Sequence, residues 1–326
     1  MNTTQGNQTG ERKFYRVLLF LTVALGAFSV AMNELNQLQS FMLQTGSLIA
    51  SWSDVVVPTV NASTSVVPTS CVSNVVSQEA RGSDEFRWNG NIAAGGSIEI
   101  RGINGEIVAD SASGSEAQVV ALKKSRHSDV NSVHIKVEQN ANHVTICALY
   151  PNTRGEYPSS CSSGYDNNGL DDDSNTVRNN DVSVDFTVHV PAQVAFVGKT
   201  VNGGISVSSL SGNVVTKTVN GSIKISTTGY AEAATVNGEI NAKFTDGNWP
   251  KLLSFKTVNG EINLDLPASL SATVDAKTLN GSINSDFPLN VIEQKGRKAL
   301  RGTIGSGGRD LVLKTLNGSI NLRIAG

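Results

Sequence analysis

The sequence predicts an all-β protein, a parallel β-solenoid or β-helix-like repeat domain preceded by an N-terminal signal or anchor helix. The first observation is composition, because 31 glycines and only 6% aromatic residues are typical of many short strands joined by tight turns. The second is a six-residue pattern that recurs through the second half of the chain. The third is an apolar run that follows basic residues near the amino terminus.

Residues 1–32 are predicted to be a secretory signal peptide or an uncleaved membrane anchor. Basic residues up to Arg16 precede an apolar run at residues 17–30, which ends in a small-x-small cleavage pattern. The run is shorter than the ~18 residues that a membrane span needs, although residues 14–32 together would reach that length. Either outcome predicts an exported protein in the periplasm, on the cell surface or in the medium. Membrane contact is expected only through residues 14–32, as an inner-membrane tether if they are not cleaved.

The rest of the chain is predicted to divide into a tether and a repeat domain. Residues 33–83 read as a helix followed by a linker rich in Ser, Thr, Val and Pro. Residues 84–326 read as the β-repeat domain. Within it, residues 84–191 hold the first alternating strands and an acidic loop, and residues 192–326 hold the Asn-Gly rungs.

The pattern Thr-(Val/Leu)-Asn-Gly-x-Ile occurs in six copies, and an outlying copy stands at residues 102–107. In the six copies the Asn residues lie 17 to 22 positions apart, except for a last gap of 37. We expect a degenerate rung in that gap, Leu300–Ile304, with Arg301 in place of Asn. Leu210–Val214 falls midway between two copies, which predicts a rung with two similar sides. The repeat turns are Asn104-Gly105, Asn202-Gly203, Asn220-Gly221, Asn237-Gly238, Asn259-Gly260, Asn280-Gly281 and Asn317-Gly318.

Each Asn-Gly pair is predicted to form a corner of a coil, although the same pair is also typical of two-residue hairpins. A hairpin around Asn220 would set Lys217 opposite Lys224, an unfavourable like-charge pair. A corner instead lets Val219 and Ile223 point inward while Asn220 faces out. Because Asn and Gly tolerate positive φ, we expect the glycine to be needed for its conformation. Equal positions of successive rungs should then stack into ladders.

Three cysteines in an exported chain can form disulfides. Cys147 and Cys161 flank a short loop rich in Pro, Gly and Ser, and we predict that they pair. Cys71 is left over in the linker, where it would join two chains or stay free. Three unpaired thiols are the alternative.

These rungs resemble a bacterial family of adhesin-like domains of unknown function, whose members repeat Thr-Val-Asn-Gly-(Asp/Ser/Glu)-Ile. The similarity extends from about Phe86 to Gly326 and includes residues 95–100 and 306–311. The resemblance implies an exported β-solenoid-like domain at the bacterial cell envelope, with adhesion as the activity attached to the family. It implies no catalytic residue and no cofactor.

Few residues suggest chemistry. The acidic segment Asp166–Asp173 is rich in oxygen ligands but matches no Ca²⁺ loop, so a solvated loop is the simpler interpretation. The histidines lack metal-ligand spacing, and no metal site is predicted. Parallel β-helices can carry polysaccharide-cleaving sites built from carboxylates on one face, but such sites generally need aromatic platforms for sugar rings, and the repeat region has only scattered aromatic residues. The candidate carboxylates are Asp185, Asp246, Asp265 and Asp286, and the four histidines are His127, His134, His143 and His189.

The sequence therefore predicts a non-catalytic binding or scaffold protein of the cell envelope whose partner is an envelope protein or a glycan surface. A net charge of −2 without a basic stripe disfavours nucleic acid as a partner. The alternatives are a membrane-anchored sensor or accessory subunit for envelope stress and, third, a polysaccharide-active enzyme. Because the last copy ends near Gly326, its strand is expected to form an open edge that can self-associate.

Overall fold

The computed structural model describes residues 84–152, 154–161, 180–247, 249, 252–296 and 298–325, all within one compact unit, Ser77–Gly326. Among these residues no helix is long and apolar enough to cross a membrane. A 3-10 turn, Val130–Ser132, is capped by the Asp129 carboxylate, which accepts a hydrogen bond from the Asn131 N–H. The strands are β1 Glu85–Asn91, β2 Ser97–Arg101, β3 Ile107–Ser111, β4 Glu116–Lys124, β5 His134–Asn140, β6 His143–Leu149, β7 Ser183–Val190, β8 Ala195–Lys199, β9 Ile205–Leu210, β10 Val214–Lys217 and β11 Ile223–Thr227. They continue as β12 Ala231–Ala234, β13 Ile240–Phe244, β14 Leu253–Lys256, β15 Ile262–Leu266, β16 Ala272–Asn280, β17 Ile283–Ser285, β18 Leu289–Lys295, β19 Ala299–Ile304, β20 Arg309–Asn317 and β21 Ile320–Ile324.

The strands form two facing sheets, and the chain passes from one sheet to the other with each turn of the coil. Sheet A has the order β1-β4-β7-β3-β9-β11-β13-β15-β21-β17. Sheet B has the order β18-β19-β16-β20-β14-β12-β10-β8-β2-β6-β5. Neighbours in the middle of each sheet are parallel, as in the pairs β8–β10 and β9–β11. The all-β, largely parallel repeat fold that the sequence predicts is therefore confirmed.

Alternation of apolar and polar residues explains why these short segments become strands. In β15 the inward Ile262, Leu264 and Leu266 are fully buried, while Asn263 and Asp265 are partly exposed. A period of two places one face of each strand against the opposite sheet. The core therefore lies between the sheets along their whole length.

The isoleucine that ends each repeat forms a continuous column on the inner face of sheet A. Equal positions align in register from β3 to β17, and only the last member is partly exposed. Burying such a side chain contributes about 1.5–3 kcal/mol. The column therefore explains why the pattern retains Ile at this position. Its members are Ile107, Ile205, Ile223, Ile240, Ile262, Ile320 and Ile283.

The order of the last rungs differs from their order in the chain. β20 pairs with β14 on one side and with β16 on the other, so the copy that is last in sequence lies between the fourth and fifth copies. The predicted degenerate rung at Leu300–Ile304 is wrong, because β19 runs antiparallel to β16 and forms a hairpin with β18. Arg301 faces Asp275 in that antiparallel pair and does not replace a corner Asn.

Antiparallel strands close one end of the coil in both sheets and the other end in sheet B only, since β17 is parallel to β21. At one end β4 and β1 follow β7 in sheet A, and β5 follows β6 in sheet B. At the other end the outermost strands are β17 and β18. The C-terminal strand β21 lies between β15 and β17, so the expectation that it forms an open edge is wrong. The tertiary order, and not the chain order, decides which strand is outermost.

Candidate binding surface at the repeat corners

The Asn-Gly pairs are corners between the two sheets. Asn220-Gly221 joins β10 in sheet B to β11 in sheet A, and the other copies do the same for their strands. The opposite corner of this rung is Leu210–Val214, between β9 and β10. Each rung thus has two sides and two corners, and one corner carries the repeated motif.

Close backbone approach explains the glycine at these corners. A Cβ atom added to Gly260 would lie 2.5 Å from the carbonyl carbon of Gly238 and closer still to its oxygen. Equivalent overlaps with the preceding corner occur at Gly203, Gly221 and Gly238. Of the seven corner glycines, all of them described, only Gly105 and Gly318 have a positive φ of the kind that L side chains rarely adopt. The expectation that positive φ makes the glycine necessary is therefore wrong for the other five.

The corner asparagines form an unbroken hydrogen-bonded ladder on the surface. In spatial order from Asn104, the side-chain amide nitrogen of each later Asn donates to the side-chain oxygen of the one before it, at 2.7–2.9 Å. Each side chain still has a second N–H and further acceptor capacity for contacts outside the ladder. We call this set the asparagine ladder. In spatial order it comprises Asn104, Asn202, Asn220, Asn237, Asn259, Asn317 and Asn280.

The threonine of the motif points inward and the following apolar residue points outward, which corrects the predicted orientation of Val219. Thr218 is 5% exposed, and its hydroxyl donates to the Gly203 carbonyl at 2.9 Å. Val219 is 39% exposed and Leu279 is 54% exposed. The threonine is buried because its hydroxyl satisfies a corner carbonyl of the neighbouring rung. The outward residues form the apolar column, which comprises Ile103, Val201, Val219, Val236, Val258, Leu316 and Leu279.

A column of basic residues runs beside the apolar column on the outer face of sheet B. Each member immediately precedes a corner threonine or, in the first rung, Gly102. The register aligns them one above another, with Ala234 interrupting the series. We call this set the basic column. In spatial order it comprises Arg101, Lys199, Lys217, Lys256, Lys314 and Lys277.

A buried carboxylate, Glu99, anchors one end of the basic column. Its Oε1 lies 2.8 Å from both Arg101 Nε and Lys199 Nζ, and its Oε2 lies 3.6 Å from His143 Nε2. Burial raises the pKa of Glu99, but the hydrogen bond from His143 and the charges of Lys199 and Arg101 outweigh it. The pKa of Glu99 is therefore held well below its ordinary value. The group stays ionised and brings Arg101, Lys199 and His143 together.

A disulfide-closed loop covers the same end of the column. Cys147 is joined to Cys161, the pair that the short loop between them favoured. The Cys161 carbonyl accepts a hydrogen bond from Arg101 Nη1 at 3.1 Å, and the Arg101 side chain is only 14% exposed. The open part of the basic column therefore begins at Lys199 and extends to Lys277, whose side chain is 58% exposed.

Sequence comparison supports the resemblance of the rungs to a known family. The family model Toastrack DUF4097 matches residues 89–323, which includes every corner described above. The chain belongs to this family. Among curated proteins, none matches the chain. Family membership thus accounts for the repeat fold, and the specific function must be argued from the surface itself.

Two solved structures have a similar arrangement over most of their length. One is described as a putative cell adhesion protein from Clostridium sporogenes; it is 12% identical, with a TM-score of 0.39, and the alignment covers 73% of this chain and 98% of that one. The other is described as a putative adhesin from Bacteroides fragilis; it is 10% identical, with a TM-score of 0.29, and the alignment covers 73% and 97%. The family assignment rests on the match over residues 89–323.

The structure separates Asp185 from the other three carboxylates considered for polysaccharide cleavage. Asp185 on β7 and Asp265 on β15 are five strands apart, roughly 24 Å at the usual strand spacing. Asp246 follows β13, and Asp286 follows β17. Asp185 instead accepts a hydrogen bond from Lys124 at 2.8 Å. Paired glycosidase carboxylates stand roughly 5–10 Å apart, so Asp185 and Asp265 cannot form such a pair.

The four histidines have separate partners. His127 contacts Asp181 at 3.2 Å, His134 stacks on Tyr157, and His189 contacts Asp110. His143 belongs to the Glu99 cluster. In the part of the chain that the structure describes, no three His, Cys, Asp or Glu residues are grouped closely enough to hold a metal ion. Residues 14–32, Cys71 and the acidic segment Asp166–Asp173 lie outside the described residues.

Sequence reasoning missed the basic column and the Glu99 cluster. The signal for the column was present, because Lys precedes Thr in five of the six motif copies. This lysine lies immediately outside the pattern Thr-(Val/Leu)-Asn-Gly-x-Ile. Glu99 gave no comparable signal, since its partners on β6 and β8 are 44 and 100 positions away.

Proposed function

We propose that the chain is an exported, non-catalytic binding and scaffold module of the cell envelope, adhesin-like in function. The observation that carries the proposal is the corner surface, defined as the asparagine ladder, the apolar column and the basic column. These three columns run side by side along one side of the coil over seven rungs, and Ala234 takes the place of a basic residue in one of them. A surface of this kind suits an extended partner better than a small substrate, because it repeats along a line and does not converge on a point.

The disulfide supports an extracytoplasmic location. Cys147 and Cys161 are joined in the structure, and disulfides of this kind persist mainly outside the reducing cytoplasm. The basic and apolar run at residues 12–30 supports export. We therefore infer that the module works in the periplasm, on the cell surface or after secretion, with an envelope protein or glycan as its partner.

Site-specific photo-crosslinking in intact producing cells tests the proposal. The crosslinker replaces Val219 in the apolar column, and the matched control replaces Asn213, which is exposed at the opposite corner. We expect adducts with an envelope glycan or envelope protein from position 219 and not from position 213. Equal labelling at both positions, or no adduct at either, would overturn the corner surface as the binding site.

The same sample distinguishes the competing functions. Mass spectrometry of the amino terminus reports cleavage, and a start at Met32 supports a released module. An intact apolar segment with membrane regulators attached would favour the envelope-stress sensor. Release of oligosaccharides from purified envelope polysaccharide, abolished by Asp265→Asn, would establish the enzyme instead.

A further inference from the structure

We propose that the basic column binds a linear acidic polysaccharide lengthwise, with its carboxylate or sulfate groups against the lysines from Lys199 to Lys277. This rests on the proposed function and names the class of its partner. The lysines lie on β8, β10, β14, β20 and β16, with Ala234 on β12 between the second and third. Five strand spacings of ~4.8 Å give the open stretch a length of about 24 Å.

The charge on this face is positive although the whole chain is slightly negative. The basic column has six positive residues, and the neighbouring outward positions of the same rungs carry three acidic residues, so three positive charges remain. The acidic residues are Glu99, Glu232 and Asp275. The chain as a whole has a net charge of −2. The asymmetry directs an anionic partner to this face.

The three carboxylates are unevenly spaced along the basic column. Glu99 contacts Lys199, and Asp275 contacts Lys277 at 3.3 Å. The negative charge of Glu232 raises the pKa of both Lys217 and Lys256. No acidic residue lies in the rung of Lys256 or of Lys314 at the neighbouring outward position, which is Ser254 and Val312 respectively. Like charges one strand apart repel each other, so an anion placed between them is stabilising.

Lys256 lies close enough to Lys217 and Lys314 for their positive charges to lower its pKa. Burial is the largest cause that lowers its pKa, Glu232 opposes the change, and Lys314 and Lys217 lower the pKa further, to about 8. A bound anion would raise this pKa, because it favours the ammonium form. By linkage, affinity for the anion should fall as the pH rises through about 8.

The columns beside the lysines favour a sugar over other polyanions. The apolar column offers C–H contacts to sugar rings, and the asparagine ladder retains an N–H per residue for hydroxyl groups. A single-stranded nucleic acid site would need aromatic side chains for base stacking, and the basic column has none among its members or its rung neighbours Val197, Val215, Ser254 and Val312.

Calorimetry tests the proposal. It measures the affinity of the purified full chain for uronic-acid oligosaccharides of increasing length, at low and at high salt. We expect affinity to increase with oligosaccharide length until the ligand spans about 24 Å. We expect the variant K256Q/K314Q to bind about tenfold more weakly, since each lost contact costs roughly 0.5–1 kcal/mol. The matched control K224Q/K243Q removes two exposed lysines from sheet A and should leave affinity unchanged. Lys256→Arg should retain binding but lose the decrease near pH 8, because Arg stays charged.

Unchanged melting temperatures exclude misfolding as the cause of any loss. Equal weakening by both double variants would overturn the proposal, as would affinity independent of length. Tighter binding of duplex DNA or of anionic phospholipid vesicles, lost in K256Q/K314Q, would overturn the polysaccharide and assign the column to that polyanion. If no polyanion binds while position 219 still crosslinks in cells, the polysaccharide is refuted and the proposed function stands.

Discussion

Replacing Gly260 by Ala should destabilise the domain strongly, because its Cβ would have no space. The new atom would lie 2.5 Å from the Gly238 carbonyl carbon and 3.0 Å from the Glu239 nitrogen, and these are backbone atoms that cannot rotate away. Relief requires two corners to separate. That movement weakens the hydrogen bonds that join these two corners, from the Gly238 N–H to the Asn259 carbonyl and from the Thr257 hydroxyl to the Gly238 carbonyl, both 2.9 Å.

The expected cost follows from these two effects. Overpacking costs about 1–3 kcal/mol, and each weakened hydrogen bond costs up to about 1 kcal/mol. The free energy of unfolding should therefore fall by about 2–5 kcal/mol, which corresponds to roughly 5–15 °C in Tm for a domain of this size. Urea unfolding followed by circular dichroism measures the change.

Two further substitutions identify the cause. Gly114→Ala is the matched control, because nothing lies within 4 Å of the added Cβ and its φ is not left-handed; its effect should stay within ~0.5 kcal/mol. Asn tolerates positive φ but carries a Cβ. If Gly260→Asn is as damaging as Gly260→Ala, close approach is the cause. A clearly milder effect of Asn would refute this reasoning and restore a requirement for positive φ.

Three other changes probe the disulfide, the asparagine ladder and the buried carboxylate. The double variant Cys147→Ser/Cys161→Ser opens a bridge with a sequence separation of 14 and should lose about 3 kcal/mol; a wild-type urea midpoint unmoved by dithiothreitol would contradict this. Asn220→Ala removes two ladder hydrogen bonds and Asn280→Ala removes one, so urea unfolding should show about twice the cost for the first; equal costs would argue against an additive ladder. Glu99 has a lowered pKa in the folded state, so it contributes stability above its ordinary pKa of 4.5 that is lost as the pH falls below that value. Glu99→Gln should therefore flatten the acid side of a plot of Tm against pH, and an unchanged acid slope would assign that slope to other groups.

The rung itself is predictable from sequence because its information is local. The alternation that buries Ile223 and Ile225 and exposes Lys224 is readable in five residues of β11. The unfavourable pairing of Lys217 with Lys224 was enough to choose a corner over a hairpin. Copies stack because identical strands offer each other identical hydrogen-bond and packing positions. The same locality explains why the inward Thr218 was missed, since its partner, the Gly203 carbonyl, belongs to another rung.

The alternating strands, the Asn-Gly corners and the family of the rungs are readable in the amino-acid sequence. The order in which the rungs stack is a property of the folded chain. The 37 positions between Asn280 and Asn317 fit two rungs as well as they fit a hairpin, since spacing along the chain does not specify which strands pair. Insertion of β20 between β14 and β16 places Lys314 between Lys256 and Lys277 and thereby completes the basic column. The surface with the clearest claim to function thus depends on contacts between residues distant in sequence.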